Sequence, residues 1–118
     1  MRKVISLVVL VCAIGVIGSA SAAPQRQSTT TAVTVKAGEF FFKLSKSSIA
    51  KRGTVVFTVK NVGHLAHDFK IASKKTTLIQ PGKSARLKVA FTKAGKYVYV
   101  CTVPGHASAG MKGRFTVR

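Results

Sequence analysis

Gly95-Lys96-Tyr97-Val98-Tyr99-Val100-Cys101-Thr102-Val103-Pro104-Gly105-His106-Ala107-Ser108-Ala109-Gly110-Met111-Lys112-Gly113 joins a strand to a loop that is rich in metal ligands. Tyr97 to Val100 is aromatic and β-branched, the composition of a pleated, half-buried segment. It delivers Cys101 at its end. Four residues then separate Cys101 from His106, and four more separate His106 from Met111. A thiol, an imidazole and a thioether are soft or borderline ligands, the set that favours copper over hard cations. A fourth candidate, His67, stands upstream in Asn61-Val62-Gly63-His64-Leu65-Ala66-His67-Asp68-Phe69.

Moving outward from this stretch, short β-type runs alternate with turn residues, and no long amphipathic helix is legible. Val33 and Val35 alternate with polar residues up to Ala37-Gly38. Phe40, Phe42 and Leu44 fall on one face of the next run, and Ile49 points inward from the connection Ser45 to Gly53. Val55, Phe57 and Val59 form a row, as do Leu87, Val89 and Phe91. His67 to Ala72 reads as a strand, Lys74-Lys75 as a turn, Leu78-Ile79 as a short strand and Pro81-Gly82 as a turn. Phe115 and Val117 close the chain. About seven to eight short strands at regular spacing predict an all-β fold, a Greek-key sandwich or barrel, over residues 32–118.

The N-terminus reads as an export signal. Met1-Arg2-Lys3 is basic, Val4 to Gly18 is almost entirely apolar, and Ala20-Ser21-Ala22 has the small-residue pattern of a cleavage site. Residues 1–22 are therefore expected to be a signal peptide cut after Ala22, and residues 23–31 a disordered polar leader. Two other readings are an uncleaved anchor, though the run is short of the roughly 20 residues a spanning helix needs, and acylation at Cys12, though Val11 before it is not small. Cleavage predicts a periplasmic or extracellular protein of the cell envelope. It removes Met1 and Cys12, so the remaining chain keeps one of its two cysteines and one of its two methionines, and both lie in the ligand loop. An unpaired cysteine in an exported protein needs a reason to persist. Metal ligation supplies one, and an inert buried thiol or an intermolecular disulfide is the alternative.

Twenty Lys and Arg against two acids, Glu39 and Asp68, give a formal net charge of +18. The basic residues are dispersed, with no interleaved aromatic platform, which argues against nucleic acid as a partner. The usual meaning of such charge is a solvated surface; docking to acidic surfaces on redox proteins, or to an anionic envelope surface, is the second reading. With so few carboxylates and no nucleophile–base set, hydrolytic and acid–base enzymes are excluded.

Gly95-x-Tyr97-x-Tyr99-x-Cys101-Thr-x-Pro104-Gly105-His106-x4-Met111-x-Gly113 resembles the C-terminal motif of the cupredoxins, the blue-copper proteins, and Asn61-x-Gly63-x3-His67-Asp68-Phe69 resembles their first-histidine motif. The loop spacing is closest to rusticyanin- and auracyanin-like members, ahead of the azurin- and plastocyanin-like ones. The resemblance implies one type 1 copper ion, with His67, Cys101 and His106 as trigonal ligands and Met111 as the weak axial one. It implies a monomeric one-electron carrier and not an enzyme, with electrons passing at the edge of His106 inside a rim of Leu65, Pro104, Ala107 and Ala109. Val100 stands where plastocyanin-like members carry an aromatic second route. His64 is the competing imidazole, and the Asp68-Phe69 pair after His67 assigns the ligand to His67. Asp68 and Thr102 are expected to tie the two ligand segments together. Copper storage or delivery is the alternative function. A cationic β-sandwich holding zinc, or no metal, is the third.

Overall fold

Alternation of apolar and polar residues turns one face of each long strand inward. In β1 (Thr30–Gly38) Val33, Val35 and Ala37 are buried. In β4 (Gly53–Asn61) the buried set is Val55, Phe57, Val59 and Asn61, and in β7 (Ser84–Phe91) it is Leu87, Val89 and Phe91. The shorter elements are β2 (Phe41–Leu44), β3 (Ser48–Ile49), β5 (Lys70–Ile71), β6 (Lys74–Lys75), β8 (Gly95–Val100) and β9 (Lys112–Val117). This computed structural model describes residues 30–118, with Gly15 and Gly18 before them. Those two glycines apart, the expected signal peptide, its cleavage site and residues 23–29 of the leader lie outside the described residues.

Two sheets form, one in the order β2-β1-β4-β7 and the other in the order β3-β9-β8-β5-β6. Consecutive segments cross repeatedly from one sheet to the other, as the expected Greek-key sandwich requires. β1 runs parallel to β4 with Val33 opposite Phe57, and β4 runs antiparallel to β7 with Phe57 opposite Leu87. β8 pairs antiparallel with both β9 and β5. The facing rows meet in one core centred on Phe57, whose ring lies 5.2 Å from Phe69 and 5.4 Å from Phe115 across the sandwich.

Several local expectations change. β1 begins at Thr30, two residues inside the stretch expected to be disordered, because Thr30 and Thr31 pair with Thr54 and Val55. Lys74-Lys75 is a strand and not a turn. The turn falls one step earlier on Ala72 and Ser73, both at positive φ (48° and 64°), the mirror-image geometry that a two-residue hairpin needs. Only Lys70–Ile71 of the segment from His67 to Ala72 is a strand, while His67 bridges Ile79 in isolation. Phe40 leaves the row it was expected to share with Phe42 and Leu44: it sits before β2 with φ of 68° and is 42% exposed.

Asn61 ends β4 fully buried and organises the segment that follows. Its Nδ2 donates to the carbonyls of Leu65 (2.7 Å) and Ile79 (2.8 Å), and its Oδ1 accepts from the Gly63 N–H (2.9 Å). Asn61→Ala leaves the Leu65 carbonyl and the Gly63 N–H without a partner, while the Ile79 carbonyl still accepts the His67 N–H. Leaving buried polar groups unpaired costs about 1–3 kcal/mol each, so urea denaturation is expected to show a loss of about 2 kcal/mol or more.

Candidate metal centre

His67 reaches the site from the β4–β5 connection. Its N–H donates to Ile79 O (3.1 Å) and its carbonyl accepts from the Ile79 N–H (2.7 Å), so both backbone groups are fixed. Cys101 follows β8 directly, and the loop after it folds back on itself. The His106 N–H donates to Val103 O (3.1 Å), the Met111 N–H to His106 O (3.0 Å) and the Cys101 N–H to Met111 O (3.1 Å). These bonds bind the backbones of Cys101, His106 and Met111 into one unit. Gly105, at φ of 84°, makes the turn beside His106 that a residue with a Cβ would make only under strain.

The side chains converge. His67 Nδ1 lies 3.1 Å from His106 Nδ1, and Cys101 Sγ lies 3.6 Å from that same His106 nitrogen. One donor atom from each of His67, Cys101 and His106 falls within 4.8 Å of the others. His67 and Met111 are 0% exposed, Cys101 1% and His106 8%. His64, three residues from His67, has its side chain 98% exposed and takes no part in the cluster.

The donor set fits a soft cation. Burial raises the Cys101 thiol above its ordinary value and lowers the His67 imidazole below its own, so without a metal both groups are held neutral. A cation held by these donors would supply the charge that favours the Cys101 thiolate. Donors bonded at about 2.0–2.3 Å to one ion stand roughly 3–4 Å apart, which matches the separations found here. Two imidazoles and a thiolate suit copper or zinc and not magnesium or calcium.

Around the donors, Asp68 ties one ligand segment to the other as expected. Its Oδ1 accepts the Thr102 N–H (2.6 Å), and its Oδ2 accepts the Thr102 hydroxyl. Asp68→Ala cuts the only side-chain link between the His67 segment and Thr102 found among the described residues. It is expected to weaken copper affinity roughly 10–100-fold, as loss of an outer partner does, read by competition with a chelator. Of the expected apolar rim, Leu65 is 48% exposed, Pro104 and Ala109 are exposed and Ala107 is half-buried. Sequence reasoning missed two residues of the β1–β2 turn. The Phe40 ring meets His106 edge-on, centroids 5.4 Å apart. The Glu39 carboxylate accepts the backbone N–H groups of His64 and Leu65, which hold its pKa down at about 2.

Residues 27–118 match the copper binding proteins of the plastocyanin/azurin family. The copper-resistant cuproprotein CopI of Pseudomonas aeruginosa is 25% identical in an alignment that covers 80% of each chain. Auracyanin-B of Chloroflexus aurantiacus is 43% identical over 42 residues, 36% of this chain and 18% of that one. Among solved structures, dithionite-reduced auracyanin from Roseiflexus castenholzii superimposes with a TM-score of 0.66 at 22% identity, covering 77% of this chain and 98% of its own. With the fold, the buried His-Cys-His cluster and a family match over most of the sequence in agreement, this chain belongs to the plastocyanin/azurin family of copper binding proteins, the cupredoxins.

Proposed function

We propose that the protein is an exported, monomeric one-electron carrier whose single type 1 copper is bound by His67, Cys101 and His106, with Met111 as axial ligand. The convergence of two imidazole nitrogens and one thiol sulfur, all buried, carries this reading. Copper supplies a Cu(II)/Cu(I) couple when bound, and the protein keeps its donors in place through the change of state. Backbone hydrogen bonds on both sides of His67 and across the Cys101–Met111 loop restrain the donors. Four protein donors would complete the coordination of the copper and leave no open position for a substrate, which favours a carrier over an enzyme.

Partner chemistry follows from charge. Among the described residues no lysine or arginine pairs with a carboxylate: Asp68 bonds Thr102, and Glu39 faces the first-histidine loop. On the outer face of the second sheet, Lys75, Lys70, Val100 and Lys112 lie in one register row across four strands. Like charges placed opposite one another destabilise a sheet, and an acidic redox partner relieves that repulsion. Electrons would pass through His106, the donor with residual exposure, inside the expected rim of Leu65, Pro104, Ala107 and Ala109.

The name of the Pseudomonas relative supports a second reading, copper binding for resistance, storage or delivery. Adding Cu(II) to the purified protein, recording its visible and EPR spectra and cycling it at an electrode separates the two. A strong thiolate-to-copper band with a reversible couple supports the carrier. Tight Cu(I) binding with transfer to an acceptor and no reversible couple supports delivery.

A further inference from the structure

The site as described leaves the β1–β2 turn without a role, yet its two residues lie against both histidines. Phe40 packs edge-on to His106 at an interplanar angle of 89°, from a backbone at φ of 68°. Glu39 lies at His67: its Oε1 is 3.5 Å from His67 Nε2 while accepting the Leu65 N–H at 2.8 Å. That Nε2 is buried and has no hydrogen-bond partner, and 3.5 Å is a little beyond an ordinary N–H···O bond. The other ring nitrogen, Nδ1, is the one that faces His106.

A neutral imidazole carries its proton on one nitrogen, and the partner of that nitrogen decides which. The chain has two carboxylates, and Asp68 is engaged by Thr102. Glu39 alone stands where it can receive a proton-bearing Nε2. Gly63 makes the approach possible: a methyl group there would lie 2.6 Å from Glu39 Oε2 and closer still to Oε1. Two backbone donors, the His64 and Leu65 N–H groups, anchor the carboxylate in that position.

We propose that Glu39 is a positioning residue for the copper centre: it holds His67 in the Nε2–H form with Nδ1 bare toward the metal, and it sets a negative charge one imidazole away that favours cupric over cuprous copper. Hydrogen bonding from a ligating histidine to a carboxylate also makes the imidazole a better donor. This inference rests on the copper reading above, and half of its test does not need copper.

In the metal-free protein, imidazole nitrogen NMR is expected to show His67 as the Nε2–H tautomer, with mixed tautomers in Glu39→Ala. In the copper-loaded protein, Glu39→Gln removes the charge but keeps an oxygen for the His64 and Leu65 N–H groups, so a merely loop-building role leaves the potential unchanged. The expected result is a retained blue band with the couple moved upward by about 59 mV, the equivalent of a tenfold shift toward Cu(I). Gly63→Ala, which displaces the carboxylate, is expected to move it the same way. A Glu39→Gln potential equal to wild type beside an intact blue spectrum, or an Nδ1–H tautomer of His67 in the metal-free protein, overturns the proposal. If the wild type shows no blue couple at all, the copper reading has failed, and the tautomer experiment still decides the role of Glu39 at His67.

Discussion

Cys101→Ala is expected to abolish the thiolate-to-copper band completely and to weaken copper binding by more than the roughly 10–100-fold that loss of an outer hydrogen bond causes. The sulfur is the only thiol among the described residues and lies 3.6 Å from the His106 nitrogen. No nearby group replaces it. The two imidazoles and the Met111 thioether that remain include no thiolate, so copper held by them would lack the intense thiolate-to-copper transition. The fold itself should survive. Cys101 is 1% exposed and its backbone N–H bond to Met111 is independent of the side chain, so losing one sulfur from the core costs on the order of 1 kcal/mol. Visible spectra and chelator competition, taken with a urea titration of the metal-free variant, separate the two effects. Unchanged metal content in the variant would support the third reading, a cationic sandwich whose cluster is incidental.

The largest loss of stability is expected from Phe57→Ala. Phe57 is 0% exposed, sits mid-strand in β4 and touches aromatic rings from both sides of the sandwich: Phe69 and Phe115 opposite, and Phe91 on the adjacent strand at 6.4 Å. Four rings so arranged cannot close over the space one of them leaves without moving strands in both sheets. Phe→Ala changes in such cores cost about 3–5 kcal/mol, against a total of about 5–15 kcal/mol for a typical domain. Urea denaturation of the metal-free protein should show the midpoint fall accordingly. Leu78→Ala, at a side chain 53% exposed, should stay within about 0.5 kcal/mol of wild type.

The rows Val33-Val35, Val55-Phe57-Val59 and Leu87-Val89-Phe91 were legible in the sequence because each strand has one solvated face, so its alternation survives in the residue pattern. The ligand loop was legible for a different reason. A Cys-x4-His-x4-Met spacing on a strand end is chemically unusual, and a second motif around His67 agrees with it. What the sequence hid depends on long-range placement or on backbone geometry without a residue signal. The parallel pairing of β1 with β4 is a tertiary outcome that neither strand announces. The Ala72-Ser73 turn has positive φ at both positions without the Asn or Gly that marks such turns, so Lys74-Lys75 looked like the turn. The Phe40-Phe41-Phe42 run reads as a strand, yet Phe40 is taken out of it by a left-handed backbone that turns its ring to His106. Glu39, 28 residues before His67, was invisible as a neighbour. The one available signal was that a chain with only two acids has little reason to keep a carboxylate beside Gly38 unless it is used.

The account rests on the claim that one ion sits among His67, Cys101 and His106. X-ray absorption at the copper edge of the Cu(II)-loaded protein tests it most directly. It is expected to show a close shell of one sulfur and two imidazole nitrogens, with any methionine sulfur farther out. A shell of nitrogen and oxygen alone, with no short copper–sulfur bond, would contradict it.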